Sequence, residues 1–467
     1  MSVLQILILA FVAILVNQLK QGRSLVLLAL SALVIYWIQP IQNPVNLTFW
    51  LPTFTLALTV IFWLLTSTPE ARGWRQNWDA IAVLFGVIVL VDLNRYFRFD
   101  YVFVVDTPRV QLVVAMLIGF VAVSFLLAQL KRFPVIVFVL TAIGIIVMLV
   151  LLKMPSGLTG LIETTAGLRG KDVSGVSALS WLGFSYVAFR LLHTVIDRRA
   201  GRLPSVSLSE YVNYVIFFPA FSAGPIDRLE RFTRNLNEPI ALNWLDAGTR
   251  LFVGLFKKFV IADGLAWFAL SEFLQPNVHS TVWLWVFLYA YSLRIYFDFS
   301  GYTDIAIGLG KLLGVQLPEN FDAPYLKPNL TQFWNSWHIT LTQWFRSYFF
   351  NPLTRFMRSS KITWPMWLMV LVAQVATMAL IGLWHGVTWG FLSWGLWHGL
   401  GLFIQNRWSD WIRPRALARN VTPRGEALLK YLGIFFTFHF VTLGWLFFFL
   451  PDPGTTWNVM LRLFGAA

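Results

Sequence analysis

The chain has 467 residues, 57% of them hydrophobic and only 12% charged, where soluble domains carry about 25% charged residues. With a mean hydropathy of +0.66, this excludes a soluble enzyme and predicts an all-α, polytopic integral membrane protein of about eleven to thirteen transmembrane or re-entrant helices; its runs do not alternate as β-barrel strands would. The formal charge of +14 and 0 Cys point to cytoplasmic loops on anionic lipid rather than to nucleic acid, and exclude disulfides, thiolate metal sites and a cysteine acyl-enzyme.

The first half reads as a ladder of spans: Val3–Val16, Ser24–Ile38, Leu47–Leu65, Ala80–Leu93, Val110–Leu127, Pro134–Leu152 and Val176–Leu192. Several are shorter than the ~20 residues of a straight crossing, which predicts tilted or re-entrant segments. Val3–Val16 has no basic residue before it and no small-residue cleavage site after it, so it is expected to be a retained span and not a signal peptide. Every second loop is basic: Lys20 and Arg23, Arg72 and Arg75, Lys131 and Arg132, then Arg198, Arg199 and Arg202. The loops between are neutral or mixed, so the positive-inside rule places the N-terminus outside. The longest predicted extramembrane segments are a glycine-bearing loop over Lys153–Ser174, with Gly157, Gly160, Gly167 and Gly170, and a cytoplasmic loop over Gln405–Arg424, with Arg407, Arg413, Arg415, Arg419 and Arg424.

The second half differs. Polar or glycine-bearing segments at Phe218–Arg234, Asp298–Gly310 and Leu317–Tyr325 are expected to interrupt its spans, and such backbone is tolerated at membrane depth only inside protein or beside a wet cavity. Residues 1–205 therefore read as scaffold and 206–467 as the half that carries the site. The span Val282–Phe299 places Arg294 and Asp298 four apart on one helical face, expected to neutralise each other, while Asp304 in the following segment has no evident partner and is a candidate to orient a histidine.

Three of the 6 His directly follow Trp, at Trp337-His338, Trp384-His385 and Trp397-His398. Thr331–Asn351 reads as one amphipathic interface helix, stopped by Pro352. Trp334, Trp337, Leu341, Trp344 and Tyr348 form its apolar stripe, into which His338 points. Trp364–Trp384 reads as a span rising ~31 Å at ~1.5 Å per residue, and it leaves His385 toward the outer half of the membrane. The span Phe391–Ile404 then returns and carries His398. An ionisable group at that depth marks a functional site by default. The plainer readings are a structural hydrogen-bonded His338 and a His385 that only caps its helix beside an interfacial Trp384.

There is no Gly-x-Ser-x-Gly elbow, Walker loop or Rossmann fingerprint, and the histidines lack paired metal spacing. What remains is imidazole as a general acid or base. Acyl transfer from a thioester to a hydroxyl needs little more: a base, donors to steady the oxyanion, and a cavity that excludes water.

An ordered series of motifs carries a family resemblance: Phe221–Phe232 around Gly224-Pro225-Ile226-Asp227-Arg228, Asp298–Gly310, Pro318-Glu319-Asn320-Phe321, Phe333–Tyr348, Leu383–Gly386 and Trp397–Gly399. Over Phe217–Ile404 the chain resembles the membrane-bound O-acyltransferase superfamily, and within it the bacterial branch of alginate O-acetyltransferase and the D-alanyl transfer protein of teichoic acid synthesis. That resemblance implies a ring of helices around a thin centre. It implies His385 as the catalytic base and His338 as a second catalytic group, with no bound cofactor or metal. The implied donor is a cytoplasmic thioester, acetyl-CoA or a charged acyl carrier protein. The implied acceptor is an extracytoplasmic cell-envelope or secreted polysaccharide, reached through an extracytoplasmic partner protein, and the implied location is the bacterial inner membrane. Trp334, Asn335, Trp337, Arg346, Asp304 and His398 are the expected substrate-binding residues. Ser336 stands where the family usually has a basic residue, and Ser347 where it usually has Asp, which predicts either one missing ion pair or an altered donor-binding surface. D-alanyl transfer is the alternative within the class, and a glycan or lipid transporter the alternative outside it.

Overall fold

A computed structural model describes residues 1–41, 46–97, 107–130, 133–157, 159–160, 180–271, 277–417, 422–450 and 452–466. Lys131, Arg132, Gly167, Gly170, Arg419 and the predicted start at Val176 lie outside these. The described residues are helical with no strand. By mutual packing they form two units, Met1–Phe252 with Thr303–Pro318, and Val253–Tyr302 with Glu319–Ala467. The expected 205/206 boundary falls inside the first unit.

The first unit opens with α1 (Val3–Asn17), α2 (Arg23–Trp37), α3 (Leu47–Thr66), α4 (Trp74–Asp92), α5 (Val110–Ala128) and α6 (Val135–Lys153). A capping box starts α1: the Gln5 N–H donates to Ser2 Oγ at 3.2 Å, and the Ser2 N–H to Gln5 Oε1 at 2.8 Å, which satisfies orphan donors at the helix end. In α3 the hydroxyls of Thr53, Thr55 and Thr59 donate to carbonyls one turn back at 2.7–3.0 Å, so its polar groups need no water. Helices α7 (Phe184–Arg199), α8 (Leu208–Ile216), α9 (Leu229–Asn237) and the start of α10 (Trp244–Leu255) follow. The chain breaks after α8 into a short 3-10 turn, Phe218–Ala220. Arg190 is 2% exposed there and donates to the Val215 and Ala220 carbonyls at 2.7 and 2.8 Å. A cation thus satisfies acceptors freed at a helix C-terminus. The Gly224-Pro225 motif continues this turn. A Cβ at Gly224 would meet Ala220 Cα at 2.3 Å, so only glycine fits.

Several sequence expectations are revised. Asp298–Gly310 does not interrupt a span, because one helix, α11, runs over Thr281–Leu312. Asp298 pairs with Lys258 at 2.5 Å, not with Arg294, and Asp304 with Arg250 at 2.7 Å; carboxylates with cations of their own do not break the helix. The basic segment after Ile404 is not a loop as far as Leu417: α16 (Trp389–Leu417) continues through it. Residues 317–323 are non-helical, as expected of this segment, and a 3-10 turn follows at Pro324–Leu326.

In the second unit, α12 (Leu330–Trp334), α13 (Ile339–Phe345), α14 (Asn351–Ser359), α15 (Met366–His385), α16, α17 (Pro423–Phe449) and α18 (Pro453–Leu463) follow one another. Six described helices are long and apolar enough to cross a membrane: α3, α4 extended to Phe97, α5, α6, α15 and α17.

Candidate active site

The segment read as one helix, Thr331–Asn351, is three pieces. Helix α12 ends at Trp334, the chain turns, and α13 starts at Ile339. Pro352 does not stop a helix; it sits in the first turn of α14, where its missing N–H is not needed. The break falls on His338, whose φ of +44° is left-handed, an uncommon conformation for a non-glycine residue. The physical reason is Asn320, which is fully buried. Its carbonyl accepts the Ile339 N–H at 3.0 Å. Its side-chain Oδ1 accepts the Thr340 N–H at 3.1 Å and the Thr340 hydroxyl at 2.8 Å. A side-chain acceptor from elsewhere in the chain therefore replaces the hydrogen bonds a continuous helix would make.

The same Oδ1 lies 3.2 Å from His338 Nδ1. The backbone N–H of Thr340 can only donate, so the Asn320 amide is oriented with its oxygen toward the histidine. Nδ1 must then carry the ring proton, and Nε2 is left with the lone pair. His338 is 2% exposed and lies between spans. Burial pushes its imidazole down to about 3, because a desolvated cation is disfavoured. It is a neutral group with a fixed tautomer.

His385 is the last residue of α15, and Gly386 leaves the helix in an extended conformation. Helix α16 starts at Trp389 and packs back along α15 with almost no side chain between them. A Cβ at Gly382 would meet the Phe391 carbonyl oxygen at 2.2 Å, one at Gly395 the Met378 carbonyl oxygen at 2.5 Å, and one at Gly399 the Val375 Cα at 2.8 Å. Small residues that bring backbones together are the usual device for packing helices in lipid. Here they fix His385 against the face of α16 that carries Trp394 and His398.

All three Trp-His pairs converge in one aromatic cluster. The His338 ring lies 6.1 Å from Trp384, Trp384 lies 4.6 Å from His385, and His385 lies 5.5 Å from Trp394. Trp394 is in turn 5.0 Å from His398, and Trp334 is 5.2 Å from it. His338 and His398 are buried, at 2% and 0% exposure, whereas His385 is half-buried. Of the three imidazoles, His385 is the least buried. His398 sits edge-on between the indoles, and a Cβ at Gly444 of α17 would come within 2.9 Å of its Nε2.

The expected substrate-binding residues separate into groups. Trp334 and Trp337 are each 5% exposed and form inner wall, so this part of the apolar stripe faces protein; Trp337 stacks on Phe333 at 5.6 Å. Asn335 and Arg346 are exposed and meet, with Arg346 Nη2 donating to Asn335 Oδ1 at 2.8 Å. Ser336 is buried and donates to the Gln332 carbonyl at 2.7 Å. Asp304 lies in the first unit with Arg250. Sequence reasoning missed the positioning role of Asn320, although it fell inside a quoted motif, and it missed Trp394. The Trp-His repetition was the signal that found the rest.

The fold and this cluster define a polytopic α-helical membrane protein with a partly accessible imidazole at the end of a spanning helix. The sequence profile of the membrane-bound O-acyltransferase family matches residues 120–442, and the chain belongs to that family. It is an acyltransferase by class, which sets aside the transporter reading. The teichoic acid D-alanyltransferase of Streptococcus thermophilus is 33% identical over 292 residues, 59% of this chain and 70% of that relative. A probable alginate O-acetylase AlgI of Pseudomonas aeruginosa is 34% identical over 286 residues, 61% of this chain and 51% of that relative. The peptidoglycan O-acetyltransferase of Helicobacter pylori is 34% identical over 267 residues, 56% of this chain and 48% of that relative. The matched segments thus span about half the length of the alginate and peptidoglycan relatives.

Proposed function

We propose that this chain moves an acetyl group from a cytoplasmic thioester to a hydroxyl of an extracytoplasmic envelope or secreted polysaccharide. His385 is the general base: it takes the hydroxyl proton as the oxygen attacks the thioester carbonyl. The tetrahedral intermediate then collapses, the carbon–sulfur bond breaks, and the thiolate recovers the proton from the imidazolium. His338, neutral and fixed by Asn320, is the second essential group and positions the reacting atoms. The observation that supports this most is the contrast in exposure: one of three clustered imidazoles is half-buried and the other two are sealed. Acetyl-CoA is the expected donor, Asn335 and Arg346 are its candidate surface contacts, and an extracytoplasmic partner protein completes transfer. The protein sits in the bacterial inner membrane with its N-terminus outside.

One observation favours a second reading, D-alanyl transfer from a charged carrier protein to teichoic acid. The matched segment makes up 70% of the streptococcal D-alanyltransferase but about half of the acetylating relatives. Membranes containing the purified chain, given labelled acetyl-CoA or labelled D-alanyl carrier protein, separate the two. Release of label from acetyl-CoA alone supports acetylation, and release from the carrier alone supports D-alanylation. His385→Ala is expected to slow either by about 10²–10⁴-fold, the usual worth of a general base, with insertion unchanged. Undiminished transfer by that variant removes His385 from the mechanism.

A further inference from the structure

The first unit contains a cavity of about 850 Å³ walled by α3, α4 and α5, and no histidine lines it. Leu47 and Leu64 of α3 both line it, so it extends for roughly 25 Å along that helix at ~1.5 Å per residue, most of a hydrocarbon core about 30 Å thick. Its wall is apolar apart from a few hydroxyls and amides, such as Ser124 and Gln129, and from one cation, Arg72, at one end. Helix α5 forms one side. Its inner residues Leu117 and Val121 line the cavity, while Leu112, Ile118 and Leu126, at 52–67% exposure, face outward. An apolar wall left without contact atoms forfeits dispersion energy along its whole length.

The charged end selects what fills it. Arg72 donates to the Leu130 carbonyl at 2.7 Å and the Ser67 carbonyl at 2.9 Å, and lies 5.0 Å from the Phe133 ring. Arg198 donates to the same Ser67 carbonyl at 3.4 Å. These acceptors are neutral, so they hold the guanidinium groups in place without cancelling their charge. Glu70 is the nearby carboxylate, one acid against two bases, and exposed Arg75 follows at the start of α4. A greasy slot with a fixed cationic mouth matches one membrane component in both halves.

We propose that this cleft is a site for an anionic phospholipid, with its phosphate at Arg72 and Arg198 and an acyl chain laid between α3, α4 and α5. The full chain is reconstituted in phosphatidylcholine vesicles containing a minor fraction of phosphatidylglycerol with a diazirine midway along one acyl chain, and photo-adducts are mapped by peptide mass spectrometry. Adducts are expected at Ala57, Leu117 and Val121 in excess of Leu112, Ile118 and Leu126 on the outer face of the same helix. Unlabelled phosphatidylglycerol is expected to suppress the cleft adducts and extra phosphatidylcholine is not. Ala57→Trp should remove the cleft adducts and spare the outer ones. Arg72→Gln should weaken the preference for phosphatidylglycerol over phosphatidylcholine by about fivefold, the worth of one basic residue at an anionic headgroup. Equal labelling of both faces of α5, or equal competition by phosphatidylcholine, overturns the proposal. Both measurements use the unaltered chain, so they decide the matter even where Ala57→Trp does not fold.

Discussion

At the scale of single residues, the site rests on one amide. Asn320 Oδ1 faces Thr340 N–H, the Thr340 hydroxyl and His338 Nδ1, all buried. Asn320→Ala strands these three donors, each at about 1–3 kcal/mol, so a loss of at least about 3 kcal/mol is expected as a lowered thermal midpoint in detergent. Asn320→Asp keeps the acceptor but brings a carboxylate to His338, which should raise the imidazole's pKa. In the unaltered chain that pKa is lowered to about 3, so the unfolded chain binds the proton more readily than the folded one between about pH 6.5 and 3. Stability contributed here is complete above pH 6.5 and is lost on acidification, at up to about 1.4 kcal/mol per pH unit. Thermal midpoints taken from pH 7 down to 5 should fall less steeply for His338→Gln than for the unaltered chain; parallel slopes would show that His338 is not the group responsible. The candidate histidines were legible in the sequence, because Trp-His repeats in an apolar chain are conspicuous. What holds them was not, because the partner of His338 lies eighteen residues back and a lone buried Asn carries no periodic signal.

At the scale of elements, polar and glycine residues were read as breakers where several of them are contact points. Gly301 and Gly308 lie inside the unbroken α11. A Cβ on them would come within 2.8 Å of Lys258 N and 3.0 Å of Leu251 N, so they let backbones approach and do not interrupt a helix. The converse error fell on Thr331–Asn351. Its stripe fits a 3.6-residue period, yet Asn320 breaks it, since a long-range acceptor outweighs local periodicity. The hairpin α15–α16 gives a direct test of the contact-point reading. At Gly395 an added methyl meets backbone, at 2.5 Å from the Met378 oxygen, which cannot swing aside. At Gly386 it meets only the Phe391 ring at 2.6 Å, and φ of −177° suits any residue. Gly395→Ala is therefore expected to cost about 1–3 kcal/mol, as overpacking does, and to reduce transfer by displacing His385 from Trp394. Gly386→Ala should cost less on both measures. The reverse order, in thermal midpoints and acyl-transfer rates measured side by side, would mean that the glycines do not set the hairpin.

At the scale of the whole molecule, the proposed transfer brings donor and acceptor from opposite faces, so its orientation matters more than the number of its spans. The alternating basic loops predict an outer N-terminus, but the structure makes the first two crossings demanding. Helices α1 and α2 have 15 residues each, about 22 Å at ~1.5 Å per residue, against a hydrocarbon core of about 30 Å. Short segments are accommodated by local thinning of the bilayer at modest cost. An outer N-terminus predicts Lys20, after α1, and Arg75, at the start of α4, inside, and Pro40, after α2, outside. All three are exposed, and the chain has 0 Cys, so single substitutions report on accessibility without background. Lys20→Cys and Arg75→Cys are expected to react with a membrane-impermeant maleimide in inverted vesicles and not in right-side-out ones, and Pro40→Cys the other way round. If Lys20 and Pro40 react from the same side, α2 does not cross. If Lys20 reacts only from outside, the charge pattern has been read upside down, and a cytoplasmic thioester would have to reach His385 from the opposite face.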